Sequence, residues 1–227
     1  MGTSIRGIVV ARSRKNGGFC VVIVEEGTGE IYRLISNEST EYDGAIRQSL
    51  CDYTNGETME LLDRVEVVVP SKSKTGDPLQ PENIIIDHTK KIKYLGRAKK
   101  DDLIKLSNKG LNDDKYIFDG NPYSMSQFDA QFLGYSFVIA RVFNLKFSCS
   151  KNKNGEDRCK ASFKYNGVEY EDYNVTISPT PEEDIIKYCN GKKYSVAQVC
   201  FSFGHPYEKD GRCHKFLCSF LGLLNFY

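Results

Sequence analysis

Residues 9–36 place the strongest constraint on the fold, because they read as three consecutive strands joined by two short turns. The first turn, residues 13–18, contains Gly17 and Gly18, which tolerate the positive φ angles of a chain reversal. The runs on both sides are rich in β-branched residues, which favour strands. Strands separated by such short turns pair as an antiparallel meander.

The strands that follow the meander predict a barrel. A helix-compatible segment at 45–51 precedes two apolar strands at 64–69 and 81–87. Three strands, a helix and two further strands are the order of an OB-fold, a five-stranded Greek-key barrel. We therefore expect an OB-fold-like barrel in the first half of the chain.

The second half repeats this order without repeating the sequence. Asn166-Gly167 is a strong hairpin signal, and Thr180 followed by Pro181 predicts a helix start. The predicted strands are 136–147, 158–165, 170–177, 196–203 and 214–224. The sequence thus predicts a mainly β fold: two OB-fold-like five-stranded barrels in tandem, joined by a partly helical linker with a short helix at 101–106. The predicted bounds are 1–95 for the first barrel, 96–133 for the linker and 134–227 for the second barrel.

Composition limits the ligand and the compartment. The net charge is +1, and division at Phe118 leaves 18 Lys and Arg against 18 acidic residues before it and 13 against 12 after it. Since neither half is basic, a nucleic-acid ligand would have to be bound by local clusters. No apolar run reaches the ~18–20 residues that span a bilayer, and the N-terminus lacks the pattern of a signal peptide, so we expect a cytoplasmic protein.

The eight cysteines are scattered through apolar strands, so we expect reduced, mostly buried thiols. The spacing of Cys200, His205, Cys213, His214 and Cys218 fits no standard zinc site. A nucleophilic pair from that set, or from Cys20 with His88, has no support in the sequence. We therefore predict no catalytic residue, no metal site and no cofactor.

The candidate contacts to nucleic acid are cations, glycines and aromatic rings on strands and turns. Cations would bind backbone phosphates, glycines would allow close approach, and rings would stack on bases. The first barrel supplies Arg12, Arg14, Lys15, Gly17, Gly18, Tyr32 and Arg33. The second supplies Lys164 and Tyr165, with Arg141, Lys160, Tyr170 and Tyr173 as further candidates. Most phenylalanines are expected in the cores, whereas these tyrosines are expected at the surface.

A family resemblance is carried by SRKNGGFCVVIVEEGTGEIYRLIS and QPENIIID in the first half and by FKYNGVEYEDYNVTIS, AQVCFSFGHPY and HKFLCSFL in the second. These strings resemble the bacterial dual OB-fold proteins, small two-barrel proteins suspected of acting in nucleic-acid-linked or phage-conflict systems. The chain departs from the family pattern at residues 32–36, which lack the usual proline. The resemblance implies two barrels and a binding role, and it transfers no catalytic residue.

Three functions remain open from the sequence. The first is a non-catalytic module that binds single-stranded DNA or RNA, as an accessory subunit of a bacterial antiviral defence system. The second is an adaptor that docks an effector protein through its barrel faces. The third is an enzyme. The alternative for Arg12, Arg14 and Lys15 is that they are solvated loop charges that bind no phosphate.

Limited proteolysis checks the domain prediction. Cleavage within residues 96–121 is expected to leave two fragments, each rich in β structure by circular dichroism, because each barrel has its own core. A single indivisible core, or a helical fragment, would contradict the two-barrel organisation.

Overall fold

The chain forms two compact units, Met1–Lys109 and Gly110–Tyr227. The computed structural model describes residues 2–15, 17–38, 44–70, 74–99, 102, 115–118, 121, 123–178 and 185–222. Strands dominate both units, which confirms the mainly β fold class. The point of division lies within residues 96–133, and the domain bounds given above stay a prediction.

In the part that the structure describes, the first unit contains six strands and one short helix. They are β1 (Thr3–Lys15), β2 (Gly18–Glu25), β3 (Ile31–Ile35), α1 (Gln48–Cys51), β4 (Asp63–Val69), β5 (Asn83–Ile85) and β6 (Lys93–Arg97). β1 pairs antiparallel with both β2 and β4, and β2 pairs antiparallel with β3. This order confirms the predicted meander, helix and return of the chain.

The last strand of the first barrel is split into β5 and β6. β5 runs parallel to β3, with Ile84 opposite Leu34. Just after β5, the Asp87 N–H donates to the Val68 carbonyl at 2.9 Å, and β6 then pairs antiparallel with β4. The two edges of the sheet therefore meet, as an OB-fold requires. Alternating side chains fill the interior, and α1 adds Leu50 and Cys51 to this core.

Among the described residues of the second unit there are six strands and two helices. They are β7 (Ser124–Ser126), α2 (Gln127–Phe132), β8 (Phe137–Lys151), β9 (Asp157–Tyr165), β10 (Val168–Val175), α3 (Ile185–Cys189), β11 (Lys193–Pro206) and β12 (Arg212–Gly222). β8 pairs with β9 and β11, and β10 closes the barrel by a parallel pairing with β12. The five strands β8 to β12 therefore confirm the second OB-fold.

Local signals in the second unit match the structure where it describes them. Asn166 and Gly167 have φ angles of 44° and 85°, as a two-residue hairpin turn requires. Thr180 and Pro181, where the sequence predicts that a helix begins, lie outside the described residues. The structure describes α3 within this predicted helix. The predicted helix at 101–106 also lies outside them, apart from Asp102.

The expectation of eight reduced thiols is wrong at one pair. Cys149 on β8 and Cys159 on β9 stand directly opposite each other, with Cα atoms 4.1 Å apart, and form a disulfide. The other six cysteines form no disulfide. The sequence shows that both cysteines lie on strands, whereas only the strand register reveals that they face each other.

Removal of this disulfide is expected to destabilise the second unit. The two cysteines are 10 residues apart, and replacing both by serine should lower the free energy of unfolding by about 2–3 kcal/mol, since the unfolded chain regains the entropy of an open loop. Urea titration under non-reducing conditions measures the change. The matched control is Cys20→Ser, which removes a free thiol from the first unit.

Alkylation of the denatured, non-reduced protein gives an independent check. Mass spectrometry should count six modified thiols, and two more after treatment with a dithiol reductant. Eight modified thiols without reductant would contradict the Cys149–Cys159 bond.

Candidate nucleic-acid interface

Arg12 lies inside the first barrel. A register shift between Val9 and Ala11 places Arg12 opposite Val21, whose side chain is in the core. Arg12 is only 1% exposed, and its guanidinium carbon lies 4.0 Å from the centroid of the Phe19 ring. The expectation that Arg12 stands in an exposed loop is therefore wrong, because the bulge in β1 turns its side chain inward.

The other residues of this turn differ in exposure. Arg14 is exposed, Lys15 is half-buried, and Gly17 has a φ of 77°. Gly18 is buried, and a Cβ atom there would lie 2.6 Å from the Ile46 carbonyl oxygen. Gly18 is thus required for packing against the segment that leads into α1. Contact of Arg14, Lys15 and Gly17 with a ligand stays a prediction.

Tyr32 and Arg33 make structural contacts. The Tyr32 hydroxyl donates to a Glu30 carboxylate oxygen at 2.9 Å, and burial, together with this neighbouring carboxylate, raises the pKa of Tyr32. Arg33 is 3% exposed; its backbone N–H donates to the Glu82 carbonyl at 2.9 Å, and its side chain reaches the Asn83 side-chain oxygen at 3.4 Å. Arg33 therefore supports the parallel pairing of β3 with β5 from a buried position.

The outer face of β1 and β2 is apolar. Side chains that alternate with the core residues of these strands are themselves buried: Ile8, Val10, Val22 and Val24. A polyanion needs cations and exposed rings to bind. These four positions offer neither, so this part of the first barrel is a poor surface for nucleic acid.

Three arginines of the first barrel are neutralised by carboxylates. Arg6 pairs with Glu66 at 2.8 Å, and Arg97 pairs with Glu60 at 2.8 Å. Arg64 contacts both Glu26 at 2.7 Å and Asp102 at 3.0 Å. Such pairs contribute little to stability, yet each places a negative charge where a phosphate would bind.

The expectation of exposed tyrosines is wrong in the second barrel. Tyr165 and Tyr170 are each 2% exposed, and Tyr173 is fully buried. The Tyr170 ring stacks on Phe163 with centroids 5.1 Å apart, and its hydroxyl accepts a hydrogen bond from the Ile117 N–H at 3.1 Å. These tyrosines fill the core because they share the inward side of the strands with Phe163.

One surface of the second barrel has a different composition. On the side of β8 and β9 opposite the core, cations and small polar residues alternate, and Phe143 faces Lys164 across the strand pair. We call this surface the β8–β9 outer face and define it by Phe143, Lys146, Ser148, Ser150, Arg158, Lys160, Ser162 and Lys164. Phe143 is 42% exposed, which is unusual for a phenylalanine on a strand.

The cations of the β8–β9 outer face are held close together without carboxylate partners. Lys160 donates to the Asp172 carbonyl at 3.0 Å and to the Asn174 side-chain oxygen at 2.6 Å. Burial, and then the positive charge of Arg158, lowers the pKa of Lys160. Within the described part of the chain, Lys146, Arg158 and Lys164 form no ion pair.

Charge is segregated between neighbouring strands. Residues 137–165 contain seven Lys and Arg against two acidic residues. β10, which pairs with β9, contains no Lys or Arg and three acidic residues: Glu169, Glu171 and Asp172. A near-neutral chain therefore carries a basic surface with an acidic border.

Sequence reasoning identified Lys164 and Lys160 on this surface and missed Phe143, Lys146 and Arg158. The signal for Arg158 was present, since positions 158, 160 and 164 share one side of a predicted strand. Phe143 and Lys146 had no such signal. Asn144 takes a φ of 54°, and the register shifts between Phe143 and Lys146, so simple alternation fails there.

The cysteine and histidine candidates do not form a metal cluster in the part of the chain that the structure describes. Cys200 and Cys218 are buried on β11 and β12, and the Cys218 sulfur lies 3.4 Å from the Cys200 carbonyl oxygen. His214 instead contacts an Asp210 carboxylate oxygen at 2.9 Å. Among the described helices, none is long and apolar enough to cross a membrane.

Comparison with known proteins gives one family match. A family model described as a dual OB-containing domain matches residues 5–219. No curated protein matches the chain. A solved structure of a murine DNA-binding protein bound with double-stranded DNA aligns over 96% of this chain and 96% of its own, at 9% identity and a TM-score of 0.31. A likeness of that size carries no argument about the ligand.

Proposed function

The chain belongs to the dual OB-containing domain family, as the sequence resemblance indicated, and we propose that it is a non-catalytic module that binds single-stranded DNA or RNA. The binding surface in this proposal is the β8–β9 outer face. The single observation that carries the proposal is the set of unneutralised cations beside an exposed Phe143 on one barrel surface.

The position of this surface agrees with OB-fold binding in general. OB-folds bind oligonucleotides on the face of their second and third strands and on the adjoining loops. In the second barrel the second strand is β9, which contributes Arg158, Lys160 and Lys164. The third strand, β10, is acidic, so the proposed path of the ligand runs over β8 and β9.

The spacing of the cations suits an extended nucleic-acid chain. Side chains two residues apart on a strand are about 6.6 Å apart, so Arg158 and Lys160 can reach neighbouring phosphates. Phe143 lies across from Lys164 and is exposed enough to stack on a base. A base can stack on a protein ring only after it leaves its own helix, which favours a single strand over a duplex.

A salt titration tests this proposal. The triple variant Lys146→Ala, Arg158→Ala, Lys164→Ala should reduce the slope of log affinity against log salt by about 2, since each lost phosphate contact on a single strand accounts for about 0.7. The matched control is Arg6→Ala, Arg64→Ala, Arg97→Ala, which removes the same charge from ion-paired arginines of the first barrel. Fluorescence anisotropy with labelled single-stranded DNA and RNA measures both.

The stacking contact is tested separately. Phe143→Ala should weaken binding by about 1–3 kcal/mol and leave the salt slope unchanged, because a ring contributes stacking and no charge. Absence of wild-type binding at low salt would contradict the nucleic-acid function. Equal slopes for the β8–β9 variant and the control would place the site elsewhere.

A protein adaptor is the second candidate function, and α2 favours it. Phe128 and Phe132 are 69% and 73% exposed, and their rings pack together with centroids 4.8 Å apart. Such a pair could anchor an effector protein with an apolar surface. Phe128→Ser with Phe132→Ser would abolish adaptor binding while leaving oligonucleotide binding intact, which separates the two functions.

The biological setting is also a proposal. The family resemblance supports an accessory role in a bacterial antiviral defence system, and a cytoplasmic location is proposed together with that role. Neighbouring genes that encode defence nucleases or helicases would support the first point, and cell fractionation tests the second.

A further inference from the structure

Arg12 is a buried cation at one end of the first barrel. Its side chain points inward from β1, opposite Val21, and covers the ring of Phe19 at 4.0 Å. The Phe19 N–H and carbonyl bond to Ile46, just before α1, with N···O distances of 2.7 and 2.9 Å. The guanidinium is therefore enclosed between the β1–β2 turn and the segment that leads into α1.

The guanidinium has no oxygen acceptor among the described residues, and its polar neighbour is the Cys51 thiol, which is a weak acceptor. The Nε, Nη1 and Nη2 atoms of Arg12 are buried and make no hydrogen bond with any described residue. A guanidinium stays protonated in proteins and must donate from all three nitrogens, so burial without partners is strongly unfavourable. Burial does lower the pKa of Arg12, while the charge remains.

The nearest ionisable groups do not supply a counter-charge by contact. Cys51 is beside Arg12, but burial raises the pKa of its thiol to about 12, so it is neutral at physiological pH. One Asp52 carboxylate oxygen accepts hydrogen bonds from Gln48 at 2.6 Å and Thr58 at 2.9 Å. Asp52 makes no hydrogen bond to Arg12, although its negative charge favours the protonated guanidinium and partly offsets the lowering of the pKa of Arg12 by burial.

Arg14 connects this interior position with the surface. It stands opposite Phe19 on the same side of β1 as Arg12, about 6.6 Å further along the strand, and is exposed. The two guanidinium groups are close enough that the charge of Arg14 further lowers the pKa of Arg12. Two like charges this close together, one of them buried, favour the approach of an anion.

We propose that this end of the first barrel binds a phosphate group, which is a tetrahedral oxyanion. Arg12 contacts the phosphate from the barrel interior, and Arg14 contacts it at the surface. The planar fork of a guanidinium matches two oxygens of a phosphate, and the anion supplies the oxygen acceptors that Arg12 lacks together with a negative charge in direct contact. Water would supply acceptors without the charge. The site is separate from the β8–β9 outer face and does not depend on nucleic-acid binding there.

Arginine side-chain NMR of the intact wild-type protein tests the site directly. The Nε–Hε signal of Arg12, assigned by its loss in Arg12→Lys, should shift saturably with inorganic phosphate and stay constant with chloride at the same ionic strength and pH. An Arg12 Nε–Hε signal that does not shift with phosphate would overturn the proposal. Adenosine monophosphate is the second probe. A shift of the Arg12 signal with both probes would mean that the site has room for a nucleoside, whereas a shift with inorganic phosphate alone would identify free phosphate as the ligand.

Thermal unfolding provides the variant test. At phosphate tenfold above its dissociation constant, the folded-to-unfolded ratio of the wild type should rise about elevenfold. Arg12→Met should lose this rise. The matched control Arg6→Met, on the same strand but ion-paired and outward, should keep it. Retention of the rise in Arg12→Met would assign phosphate binding to other cations and overturn the proposal; if Arg12→Met fails to fold, the wild-type NMR titration decides.

Discussion

The parallel pairing of the third and fifth strands is the interaction on which both barrels depend. In the second unit, Val175 stands opposite Leu217, and the adjacent Thr176 N–H donates to the Leu217 carbonyl at 2.9 Å. In the first unit, three successive pairs join β3 to β5. This contact turns an open sheet into a closed one, and closure separates an inner side, which must be apolar, from an outer side whose chemistry is free to vary.

The outer sides of the two barrels differ in their chemistry. The outer side of β1 and β2 is apolar and buried, and Arg6, Arg64 and Arg97 of the first barrel are matched by carboxylates. The outer side of β8 and β9 keeps its cations unmatched and exposes a ring. The same topology therefore supports two surfaces of opposite character, and fold alone does not assign the function.

The fold was largely predictable, because strand order, turn glycines and the Asn166-Gly167 hairpin are local signals. The site was only partly predictable. Alternation correctly placed Lys164 on a surface, but bulges at Val9/Ala11 and Phe143/Lys146 reversed the side on which Arg12 lies and hid Phe143. The disulfide required the register of two strands. Each miss concerns which residues face each other across a sheet, and that information is not local in the chain.

The acidic composition of β10 has a consequence for the kinetics of association. A positive field over β8 and β9 beside a negative one over β10 forms a dipole across the sheet. In the proposed complex, an approaching polyanion would experience a torque before it touches the protein, and the encounter complex would form with the strand already aligned along β9. The low net charge of the whole molecule keeps distant, unoriented attraction small, so the field selects orientation more than it raises the overall rate of collision.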